Sequence, residues 1–191
     1  MTYRRLPKPL SRDELRRLHA VARPEVSAAI SFLVESGLRS GEACAITITE
    51  AKSWPQPPWW CRRAGCGRHS YAIRVVGKGD KERAVLLTPA ALRASRVMAS
   101  HAHNGHLIGW SDRGLRYVIA EAGKKAGVHA HPHRFRHTHV SELVEAGVPI
   151  EVVAEMVGHS STRTTRLYWA ASARLRGEAL ERRGRFLRRA G

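Results

Sequence analysis

The sequence predicts an α+β fold, mostly helical, with a small three-stranded antiparallel sheet, and three observations carry that prediction. Helix signals recur along most of the chain. Ser11-Arg-Asp-Glu14 has the form of a capping box, and Gly37 and Gly147 stand where helix C-terminal glycines belong. Between the helical stretches the apolar period changes to two, over Ile46–Thr49, Tyr71–Val75 and Arg83–Leu87. Finally, Gly77-Lys78-Gly79-Asp80 has the composition of a tight turn joining the last two strands as a hairpin.

Taken in order, a first helix follows Ser11 to about Ala22. A second runs from Pro24 to Ser36 with Ala28, Ile30, Leu33 and Val34 as apolar positions, and Gly41 to Ala45 adds a short turn. Residues 51–70 hold Trp54, Trp59, Trp60, Cys61 and Cys66 and read as an insertion without a regular element. Helices resume over Pro89–Ala99, Ser111–Ala126, His133–Ala146 and Pro149–Val157, with Pro149 suited to a first helical turn. Ser161 to Tyr168 is short and polar, and Leu175 to Arg188 reads as a basic helix with a weak stripe of Leu175, Ala179, Leu180 and Phe186. A chain of 191 residues suits one domain, 11–172, with an extension or linker at 1–10 and a basic tail at 173–191.

Charge narrows the function. Lys and Arg number 33 against 16 Asp and Glu, a formal net charge of +17. Such an excess favours a polyanionic partner, nucleic acid before an anionic membrane surface. Met1 to Leu10 is polar and basic without an apolar core, and no run approaches the roughly 18 apolar residues of a membrane span. Three cysteines cannot all pair, so no disulfide framework is expected and a reducing cytoplasm fits.

The chemistry-bearing residues cluster in His133-Arg-Phe-Arg136-His137-Thr138, then Gly158-His159-Ser160, then Tyr168. On a helix His133 and Arg136 share a face. An arginine offers bidentate bonds to phosphate oxygens, and an imidazole beside it can move a proton near the reacting oxygen. Upstream, Arg39 stands in Gly37-Leu38-Arg39 just past a helix end, and Lys78 lies at the tip of the hairpin. These five boxes, in this order from about Pro7 to Tyr168, resemble the catalytic domain of the tyrosine recombinases, the phage integrase family.

The resemblance implies a tyrosine recombinase catalytic fold and a set of roles. Arg39 and Arg136 would clamp the non-bridging oxygens of a scissile phosphate and stabilise the charge of the pentavalent transition state. Lys78 would protonate the leaving 5′ oxygen, with Lys81 as its rival. His133 would manage the proton on the tyrosine side, and His159 would hydrogen-bond the phosphate. Tyr168 would attack, leaving a 3′-phosphotyrosyl enzyme and a free 5′ hydroxyl, with the phosphodiester energy kept and neither ATP nor a metal cofactor called for. Glu42 resembles the acidic residue that supports the site from behind. Arg134, Arg163 and Arg166 are expected on the DNA backbone, as are the neighbours His131 and His137, the latter fitting the core better.

Double-stranded DNA is thus the expected partner, bound by a homo-tetramer, with a site-specific recombinase or integrase as the function. The alternatives are a catalytically silent DNA-binding module of the same fold and an enzyme of the type IB topoisomerase kind. No metal site is expected. Cys61, Cys66 and His69 supply three ligands where structural zinc takes four, and the plainer reading is a Trp/Pro-rich loop packed on itself. The family places a DNA-clamping helical domain ahead of this one. Only about ten residues precede the first helix here, which reads as a fragment or a clampless form. Trp169 replaces the small residue more usual after the tyrosine. The tail either docks on a neighbouring protomer or adds backbone affinity.

Overall fold

A computed structural model describes residues 8–52, 71–76, 82–102 and 104–158. These form α1 (Arg12–Val21), α2 (Pro24–Ser36), α3 (Ser40–Ala45), α4 (Ile48–Lys52), β1 (Tyr71–Val76), β2 (Glu82–Leu87), α5 (Pro89–Ser100), α6 (Asp112–Ala126), α7 (Pro132–Glu145) and α8 (Ile150–Val157). The chain divides into two compact units, Pro7–His139 and a second whose described part is 140–158.

The larger unit is built on α2. Val26, Ala28, Ala29, Ile30, Phe32, Leu33 and Val34 are all buried there, a broad apolar face that leaves Pro24, Ser27, Ser31 and Glu35 on the opposite side at least partly open. Around it α1 buries only Leu18, and α5 lays a face of Ala91, Ala94, Ser95 and Met98 toward the core. Those small side chains let α5 approach α2 closely. In the smaller unit Val140, Val144, Val153 and Val157 form a separate apolar cluster. Among the described residues no helix is long and apolar enough to cross a membrane.

The strands β1 and β2 pair antiparallel, from Tyr71 opposite Leu87 to Val76 opposite Glu82. Ile73, Val75, Val85 and Leu87 are buried while Arg74, Val76, Glu82 and Ala84 are exposed, as the two-residue period requires. Arg83 shares parity with Val85 and Leu87 and so points to the core face.

The described sheet therefore has two strands, and the third strand expected at Ile46–Thr49 is corrected. Thr47 makes an isolated bridge with His106, and α4 begins at Ile48. The reason is local. Thr47 and Glu50 form a reciprocal cap, with Glu50 N–H donating to Thr47 Oγ1 at 3.1 Å and Thr47 N–H donating to the Glu50 carboxylate at 2.7 Å. A Thr-x-x-Glu capping box thus overrides the apparent alternation. The other elements lie where expected within a residue or so, except that Pro149 is the N-cap of α8 rather than in its first turn. The hairpin tip, the 51–70 insertion beyond Lys52, the segment 161–168 and the basic tail fall outside the described residues.

The capping box of Ser11 and Glu14 is present. Ahead of it, the Leu10 backbone N–H donates to Thr138 Oγ1 at 2.8 Å, tying the start of the unit to α7. The approach to α7 is set at Gly123. A Cβ there would lie 2.5 Å from the Val128 carbonyl oxygen and 3.0 Å from Ala130 Cβ. Alanine gains about 1 kcal/mol of helix propensity over glycine, but forced overpacking costs about 1–3 kcal/mol. Because the obstacle is backbone, Gly123→Ala is expected to lower the thermal midpoint; an unchanged or higher midpoint would show that residues 127–130 yield at no cost.

Candidate active site

Arg39 and Arg136 meet at the turn between α2 and α3. Gly37 ends α2 in a left-handed conformation, φ 62°, and its carbonyl accepts a hydrogen bond from Arg136 Nη1 at 2.7 Å. Leu38 is fully buried and anchors the turn. No side chain fits at residue 37, since its Cβ would stand 2.4 Å from His139 Cδ2. His139 in turn donates from Nδ1 to the Val34 carbonyl at 2.9 Å. Arg136 and His139 are one helical turn apart, so α7 grips the α2 end at two points on one face.

Glu42 organises the cations. Its carboxylate is nearly inaccessible and accepts from the Arg39 backbone N–H, from Arg39 Nη1, and from Nη1 and Nη2 of Arg83, all at 2.8 Å. Burial alone would raise its pKa. The Arg83 hydrogen bonds, the two Arg39 bonds and the charge of Arg83 outweigh that and bring it to about 2. Arg136 is 3% exposed. Burial and the nearby Arg39 push its pKa down to about 10, far above neutrality, so it stays a cation. Two guanidiniums thus share one carboxylate with Arg136 as a third cation nearby, leaving an excess positive charge suited to an anion.

His133 lies on α7 one turn before Arg136, exposed, with its ring edge-on to buried His137 at a centroid distance of 4.5 Å. Partial desolvation, then Arg136 and Arg39, lower its pKa, so it is neutral at physiological pH and able to accept a proton. Arg39, Arg116, His131, His133 and Arg136 line a cavity of about 340 Å³ together with Leu38, Ser40 and Pro132.

Arg134 is held within the protein. Expected on DNA, it instead spends its guanidinium inside the protein, on the carbonyls of Lys8 at 2.9 Å and His129 at 2.8 Å and on the Glu14 carboxylate at 2.9 Å. Two positions on a helix are about 200° apart, which turns Arg134 away from the side that Arg136 faces. Lys78, His159, Tyr168, Arg163 and Arg166, and the candidate zinc ligands Cys61, Cys66 and His69, lie outside the described residues.

Two site residues went unnoticed in the sequence. Arg83 had a usable signal, because a strand of alternating pattern puts it on the buried face, where a cation needs a partner. Arg116, paired with Asp112 on the surface of α6, had none.

A model of the phage integrase family matches residues 8–174. Similar curated proteins include the tyrosine recombinase XerA of Pyrococcus horikoshii, 26% identical over 189 residues, which cover 93% of this chain and 61% of that protein. The tyrosine recombinase XerC of Corynebacterium efficiens is 28% identical over 159 residues, 77% of this chain and 46% of that protein. The chain thus spans roughly half to three fifths of the length of these relatives. Among solved structures, the XerA recombinase crystal structure aligns with a TM-score of 0.70 at 26% identity, over 95% of this chain and 67% of that one. A XerH recombinase bound to a palindromic difH substrate, a post-cleavage complex, shares the fold with a TM-score of 0.66 at 23% identity, over 92% of this chain and 53% of that one.

The Glu42 arrangement makes a pH prediction. A carboxylate whose pKa is depressed on folding contributes stability above its unfolded value of 4.5, and that contribution is lost as pH falls toward about 2. The difference corresponds to about 3 kcal/mol. In acid titrations of unfolding free energy, Glu42→Gln should be less stable than wild type at pH 7 and should lose less on going from pH 4.5 to 2. Parallel curves through that window would show that Glu42 is not held ionised by its arginines.

Proposed function

The chain belongs to the phage integrase family, and we propose that it supplies that family's strand-exchange chemistry, cutting and rejoining double-stranded DNA through a 3′-phosphotyrosyl link at Tyr168. One observation carries this reading: Arg39 and Arg136, with the neutral imidazole of His133, line one cavity that holds an excess of positive charge. Two guanidiniums fixed against the protein at their inner sides match the charge that builds on a phosphorane, and fixed donors need no rearrangement as the reaction proceeds.

In this reading Arg39 and Arg136 hold the non-bridging oxygens and His159 adds a hydrogen bond to them. The Tyr168 oxygen attacks phosphorus while its proton leaves toward His133. The P–O5′ bond breaks, and Lys78 protonates the departing oxygen. The 5′ hydroxyl of a second strand reverses the step, so bond energy is conserved in the phosphotyrosine and ATP is not needed. Residues 11–172 act as the catalytic domain, the tail at 173–191 supports a tetramer on DNA, and Arg163 and Arg166 contact the backbone. With DNA as substrate, the cytoplasm is the proposed setting.

The test is a nicked suicide substrate carrying candidate sites, with denaturing gels for a protein–DNA adduct. Wild type should form the adduct, and Tyr168→Phe should bind DNA equally but form none. An adduct from Tyr168→Phe would assign the nucleophile elsewhere, and tight binding without any adduct from wild type would favour a silent DNA-binding module. Arg136→Ala should cut cleavage by about 10²–10³-fold and, by leaving the Gly37 carbonyl unsatisfied, cost about 1–3 kcal/mol of stability. Cleavage by Arg136→Ala near the wild-type rate would overturn its role on the phosphate.

A further inference from the structure

Arg83 has no role in the scheme above, yet its placement is hard to explain by stability. It sits on the core face of β2 among Ile73, Val75, Val85 and Leu87, where an aliphatic residue would fit. Its side chain is 13% exposed, and its buried Nε finds no acceptor among the described residues. Replacing a buried ion pair by apolar side chains is often neutral or favourable, so such pairs are weak evidence for stability. What Arg83 does supply is geometry. Its Nη1 and Nη2 reach one oxygen each of Glu42 at 2.8 Å. The same two oxygens receive Arg39 Nη1 and the Arg39 backbone N–H. With four donors on two oxygens the carboxylate cannot rotate, and Arg39 is held at both ends of its residue.

Charge points the same way. Alone with Arg39, Glu42 would form a one-to-one pair that cancels the Arg39 charge. A second guanidinium on the same carboxylate offsets that loss and adds to the positive charge of Arg136 nearby.

We propose that Arg83 is a positioning residue for strand cleavage, holding Arg39 on the scissile phosphate through Glu42. This rests on the functional reading above, and the test is built to fail separately from it. Arg83→Met and Arg83→Lys would be compared with wild type in the full chain, using circular dichroism to confirm folding. Three readouts apply: the ¹⁵N resonances of the Arg39 guanidinium, DNA affinity, and single-turnover cleavage against pH.

Wild type should show slowed rotation of the Arg39 guanidinium, lost in Arg83→Met. Cleavage at saturating DNA should fall by on the order of a hundredfold, as expected when a reacting group is misplaced, with DNA affinity changed less than about twofold. The acid limb of the pH profile should move to higher pH, because Glu42 then protonates more easily, and Arg83→Lys should recover part of the rate. A purely structural role would lower the rate equally at every pH. Folded variants with unchanged Arg39 resonances would overturn the proposal. If wild type forms no adduct, the functional reading fails, and the Arg39 resonances still decide whether Arg83 positions that side chain.

Discussion

A single buried carboxylate governs the arrangement of this protein's cations. Glu42 draws Arg39 from the α2–α3 turn and Arg83 from β2 onto one pair of oxygens. Breaking such a buried contact by removing one partner typically costs about 3–5 kcal/mol. The exposed Arg74–Glu82 pair across the hairpin belongs to a class worth at most about 1 kcal/mol. The difference in burial makes Glu42 a constraint on position and leaves Arg74–Glu82 as surface decoration. A second acid would reduce the excess positive charge of the cavity, and none at all would leave guanidiniums repelling one another around it.

Gly37 provides the other fixed point. Its left-handed conformation turns the backbone so that one carbonyl faces Arg136, and its missing side chain leaves room for His139. The turn stands at the end of α2, the most buried helix of the unit. An arginine supported in this way inherits the rigidity of the core, which is what a preorganised anion site needs. Arg116 and His133, by contrast, line the same cavity from exposed positions and can follow a ligand.

Local signals were legible in the sequence, and distant pairings were not. Arg39, His133 and Arg136 stand in recognisable boxes, and the supporting place of Glu42 is one that the family resemblance implies. The helices were readable from caps and glycines, because those effects act within one turn. Ile46–Thr49 misled because alternating Ile and Thr satisfies a strand pattern, while Thr47 and Glu50 settle the matter as a cap. Arg134 misled for a different reason. Its partners Lys8 and Glu14 lie more than a hundred residues away in the chain, and only folding reveals them. Arg83 is the intermediate case, with its inward parity visible and its partner Glu42 not.

The Arg134 contacts have a mechanical meaning. Residues 8–14 are clipped to α7 twice, at Arg134 and at Thr138, and Arg136 lies between the two clips. Tension applied at Lys8 therefore runs directly into the stretch of helix that bears Arg136. The clipped segment thus acts on α7 as a lever acts on its fulcrum.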